Sequence, residues 1–153
     1  MTSPKISWFV LEEYDNELEY VPKKKHEEED SLMPGDIMTV NMQVWNNRNG
    51  REDVSDAVNA RIVLYFKNYE DNFLLNLCSF KVGQQDHKKL SIDIDRGYFE
   101  LGTISGKSNN GSELNTENFF DIELKVGPIP SNVKSELKDL ILDIEYNDIS
   151  ASE

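Results

Sequence analysis

The chain has 153 residues, 38% of them hydrophobic, with 29 Asp and Glu against 16 Lys and Arg for a formal net charge of −13. That length suits one domain able to bury a core without staples, and the single cysteine, Cys78, excludes an internal disulfide and a cysteine-built metal cluster. So strong a negative charge repels phosphate backbones and anionic lipid, which disfavours nucleic acid and membrane surfaces as partners, although the same carboxylates could imitate nucleic acid toward a basic protein.

From the N-terminus, 5–10 is a short β-like run, and no apolar stretch of signal or membrane length follows it, so cytoplasmic synthesis is expected. Positions 11–30 carry nine carboxylates around Lys23, Lys24, Lys25 and His26, yet Leu18, Tyr20 and Val21 alternate with polar residues. That pattern predicts one or two strands within 1–21 and an exposed loop over 22–33. The character changes at Met33, so the expected organisation is an acidic N-terminal arm over 1–32, a domain over 33–148 and a short tail over 149–153.

Pro34-Gly35-Asp36 reads as a turn opening a strand over 37–45, with Met38, Val40, Met42 and Val44 on one side and Trp45 on the other. Asn46 to Gly50 supplies the next turn, in which Asn49-Gly50 takes positive φ cheaply. Val58, Ala60, Ile62, Leu64 and Phe66 then mark every second position, the period of a half-buried strand. Further on, 73–82 is rich in large apolar residues, Leu90, Ile92 and Ile94 alternate with polar ones, and 98–104 reads as a strand. A polar loop over 105–118 precedes the alternating sets Phe120, Ile122, Leu124, Val126 and Leu140, Leu142, Ile144, Tyr146. Between them, 131–138 has room for one helical turn. About eight short strands and no convincing amphipathic helix predict an all-β fold, an antiparallel β-sandwich of about seven to nine strands.

The segment 33–66, MPGDIMTVNMQVWNNRNGREDVSDAVNARIVLYF, resembles the front half of bacterial immunoglobulin-like domains of the adhesion-related type. Pro34, Gly35 and Asp36 match that family's opening turn, Val40, Met42 and Val44 its inward positions, and Asn46 its closing asparagine. The resemblance covers about a quarter of the chain. It implies an immunoglobulin-like sandwich and, by analogy with such domains made without export, a component of a bacteriophage virion. A cell-surface location is the alternative.

The candidate chemistry is sparse. His26 and His87 lie among charged residues with no His or Cys at ligand spacing. The pairs Asp93 with Asp95, Asp121 with Glu123, and Asp143 with Glu145 fit the solvent face of amphipathic strands, and only Asp93 and Asp95, beside the Arg96-Gly97 turn, suggest calcium. No phosphate loop, nucleophile elbow or metalloprotease motif occurs, so no catalytic residue, cofactor or metal is expected. Binding is the remaining expectation, with Tyr14 and Tyr20 in the acidic arm, Trp45 and Tyr98 as candidate partner-binding residues. The predicted partners are proteins, either further copies of this chain or other virion proteins, in an oligomer or larger assembly. A carbohydrate-binding surface module and an acidic inhibitor of a nucleic-acid-binding protein are the competing readings.

Overall fold

The structure, a computed structural model, describes residues 2–23, 26–28, 35–67, 69–110, 116–130 and 140–148. In chain order the strands are β1 (Ile6–Tyr14), β2 (Glu17–Lys23), β3 (His26–Glu28), β4 (Met38–Asn46), β5 (Ala57–Phe66), β6 (Cys78–Val82), β7 (Lys88–Lys89), β8 (Ser91–Asp93), β9 (Arg96–Ile104), β10 (Phe119–Val126) and β11 (Leu140–Asp148). Two 3-10 segments, Tyr69–Leu77 and Thr116–Asn118, complete the regular structure among the described residues. The helical turn expected over 131–138 and the tail lie outside them, as do most residues of the loop expected over 22–33.

All strand pairs are antiparallel. They form a six-stranded sheet ordered β2-β1-β4-β10-β6-β7 and a five-stranded sheet ordered β3-β11-β5-β9-β8. The fold is therefore the all-β sandwich that period-two alternation predicts. Val40, Met42 and Val44 of β4 face Ile62, Leu64 and Phe66 of β5 across a shared core that also takes in Ile122, Leu124 and Val126. Each such side chain stabilises the fold by roughly 1.5–3 kcal/mol on leaving water. Phe80 and Phe99 join the sheets directly, with ring centroids 5.1 Å apart.

The N-terminal segment is not a separable arm. β1 lies between β2 and β4, and its Trp8 and Val10 are buried in the main core. The acidic composition of 11–30 masks this, because the two core positions precede the carboxylates. Three further expectations change in detail. Alternation along β5 breaks at Asn59, whose φ is 53°, so Ala57 and Ala60 both point inward and Val58 is only half-buried. The strand expected to continue through Ile94 turns there instead, leaving Ile94 88% exposed with φ 55°. The first half of 73–82 is 3-10 helix, with Leu74 and Leu75 delivered to the core before β6 begins.

One end of the sandwich is closed by asparagines. Asn46 accepts a hydrogen bond from Lys5 N at 2.9 Å and donates through Nδ2 to the carbonyls of Ser55 and Ile104 at 3.0 and 3.1 Å. Asn118 directs its Nδ2 at the carbonyls of Asn46, Ser105 and Lys107. Both are fully buried, and they satisfy backbone acceptors that turning chain would otherwise bury unpaired.

Candidate protein-interaction site

β1 pairs with β4 only over Ile6–Val10 but with β2 from Trp8 to Tyr14. Past Val10 the hairpin therefore continues as a two-stranded ribbon no longer paired with β4, which itself runs on to Met38. Its tip, Asp15-Asn16, has φ of 49° and 67°, the signature of a type I′ turn, whose twist matches that of the flanking strands. The closing pair Tyr14 and Glu17 exchanges both backbone hydrogen bonds in such a turn, which puts Leu18, opposite Glu13, in the next, non-hydrogen-bonded pair. The N–H and C=O of Leu18 then point away from β1, toward the side where β2 has no strand neighbour among the described residues. Its side chain is 69% exposed. Pro22 occupies a position of the same parity, opposite Phe9, so its missing N–H closes this edge at its far end.

A second apolar cluster on the outer face of the same sheet anchors the ribbon. Trp45 stacks on Phe119 with centroids 4.3 Å apart and planes 16° from parallel, and Phe9 and Tyr20 complete the group. The guanidinium of Arg48 lies 4.2 Å above the Phe9 ring and 5.4 Å from that of Trp45. Trp45 Nε1 donates to Gln43 Oε1 at 3.0 Å, and Gln43 Nε2 donates to Asp121 Oδ1 at 2.9 Å. Trp45 is thus fully covered, with no surface for a partner. Register is the reason, since Phe119 lies directly opposite it on β10. Tyr20, half-buried, joins the anchor to the ribbon, and the backbone of Tyr14 lies at the ribbon's tip, its side chain outside the described residues.

Tyr98 belongs to the other sheet. It is half-buried beneath the Arg61 guanidinium, 4.0 Å from its ring, and Arg61 in turn donates to Glu145 Oε2 from Nε at 3.0 Å and Nη2 at 2.7 Å. That hydrogen bond raises the pKa of Arg61. Beside this stack a cleft of about 570 Å³ is lined by Asn59, Arg61, Glu100, Glu145 and Asn147 among others, where β5 and β11 both depart from regular register. No protein-family model, curated protein or solved structure matches the chain.

Asp93 ends β8 opposite Arg96, and among the described residues no three His, Cys, Asp or Glu side chains gather as metal ligands. His87 Nε2 lies 2.8 Å from Glu123 Oε1 at the surface. Cys78 is buried, and desolvation pushes its thiol up to about 12, which keeps it protonated and non-nucleophilic at neutral pH. Sequence reasoning missed Asn118 and Gln43, because neither a polar residue ending a polar loop nor one inside an alternating strand carries a mark of burial. Asn46 was visible through the resemblance alone.

Proposed function

We propose that this chain is a non-catalytic protein-interaction module that docks extended protein segments on exposed strand edges as part of an assembly. The observation that carries this reading is the β1–β2 ribbon: a hairpin anchored by the outer aromatic cluster, with an edge unflanked among the described residues and an exposed Leu18. Strand addition there would satisfy backbone groups in register while covering Leu18. Natural sandwiches blunt long apolar edges, and this one is limited by Glu17, Glu19 and Pro22 with no strand beside it among the described residues.

The narrower fold description, immunoglobulin-like, draws support from topology. The order β1-β4-β10-β6 corresponds to strands A, B, E and D of that fold, and β11 beside β5 to F beside C. Strand G has its counterpart in β3, from the N-terminal third of the chain, and β9 flanks β5 on its other side after β6 in sequence. The narrowest functional form, a component of a bacteriophage particle, rests on the resemblance of 33–66. A second reading, a carbohydrate-binding surface, is favoured by the polar cleft around Asn59, Arg61 and Glu145, whose amides, guanidinium and carboxylates suit hydroxyl groups.

Amide chemical-shift mapping against a library of extended peptides, and separately against a panel of soluble glycans, tests both. Shifts along β2 that Leu18→Pro abolishes are expected, because proline removes the outward N–H at that position. Shifts confined to the Asn59–Arg61 cleft on adding glycans would replace this reading with the second.

A further inference from the structure

The two ends of the six-stranded sheet differ in charge. At one end, β2 and its turn expose Asp15, Glu17 and Glu19 together with Leu18. At the other, β7 exposes Lys88 and Lys89, in a chain whose formal charge is −13.

The lysine end is also incomplete. β7 pairs with β6 only at Ser79 and Phe80, and across the sandwich β8 pairs with β9 only from Arg96 to Tyr98. From Phe99 to Ile104, β9 has no strand neighbour on that side among the described residues. Between these two interrupted edges the sheets part around a cleft of about 380 Å³. Val82, Phe99, Leu101 and Phe120 line its apolar part, all half-buried, and its charged groups are Lys88 and Lys89 against the single carboxylate of Glu100.

We infer that this seam receives the β1–β2 ribbon of a second copy of this chain, so that copies join head to tail. The inference rests on the interaction reading above and names its partner. Leu18 is the apolar projection available to the apolar floor, and Glu17 and Glu19, on the opposite face of β2 from Leu18, are placed to meet Lys88 and Lys89. Charge favours this pairing over a symmetric one, because two β2 edges paired about Leu18 would set Glu17 opposite Glu19, and two seams would oppose like lysines. The two surfaces lie at opposite edges of one sheet, so the contact is heterologous. Each joined pair still offers one ribbon and one seam, and growth continues to a ring or an open chain.

The test is light scattering across concentration on three proteins: the chain itself, Glu17→Lys/Glu19→Lys, and Lys88→Glu/Lys89→Glu, with circular dichroism to confirm that each is folded. The chain itself is expected to associate beyond dimers as concentration rises, and each charge-reversed variant alone to associate at least about tenfold more weakly. An equimolar mixture of the two variants is expected to recover association, since each then meets a complementary surface on the other. Recovery in the mixture also shows that neither variant failed by misfolding. A chain that stays monomeric to about 1 mM, or variants that associate as the parent does, overturns the inference. If peptides still shift β2 in that case, the interaction reading stands without self-assembly; if they do not, both fall.

Discussion

Burial of the Cys78 thiol stores a pH dependence in the fold. Its pKa rises from an ordinary value of 9.0 to about 12 because the core cannot solvate a thiolate. The folded state therefore holds a proton that the unfolded chain releases first as pH climbs. The thiol's contribution is fully present below pH 9 and is lost between about pH 9 and 12, at about 1.4 kcal/mol per pH unit. Urea denaturation at pH 8 and at about pH 10.5 is expected to show that loss, and Cys78→Ala to flatten the thiol's share of it against an otherwise equal background of Tyr and Lys titration. An unchanged pH slope in the variant would place the thiol in contact with water. At this scale the sequence was informative where chemistry alone decides, as with one cysteine in an apolar run. It was silent where a neighbour decides. The parity of β4 put Trp45 opposite Val44, but only Phe9 and Phe119 from strands distant in sequence determine that it is covered.

Strands were legible where both neighbours let the alternation run, as in β4 and β10, and misread where a bulge or turn interrupts it. Nothing about Val58 and Ala60 as residues announces that Asn59 takes φ 53° and shifts the inward set to Ala57. Ile94 is the sharper case. A β-branched side chain at φ 55° is strained by contact with its own backbone, and at 88% exposure it recovers little by packing. Ile94→Gly is expected to stabilise the chain by about 1 kcal/mol, read as a higher urea midpoint with an unchanged slope. A lower midpoint would mean that the isoleucine makes contacts worth more than its strain.

For the molecule as a whole, the N-terminal segment decides how the domain should be bounded. Without residues 1–10 the core loses Trp8 and Val10, and β2 loses the strand that joins it to the sheet. That deletion is expected to abolish the cooperative thermal transition seen by circular dichroism, whereas a retained transition near the parent's midpoint would restore the separable arm. Assembly is therefore tested by point substitutions on the ribbon and not by truncation. The acid and base of the surface are likewise a property of the whole fold. Glu17 and Lys88 are seventy-one positions apart in the chain, and strand order alone makes them the two ends of one sheet.

Composition and period-two alternation by themselves determined that this chain is an all-β sandwich, because the spacing of apolar side chains is a local property that only a strand can bury on one face. Which strands became neighbours, and with that the burial of Trp45, the departure of the β1–β2 ribbon from β4 and the cleft where β7 and β8 stop short, was decided only in three dimensions. Pairing is a choice among edges far apart in sequence, made by the packing of both sheets together, and no local pattern of residues records it.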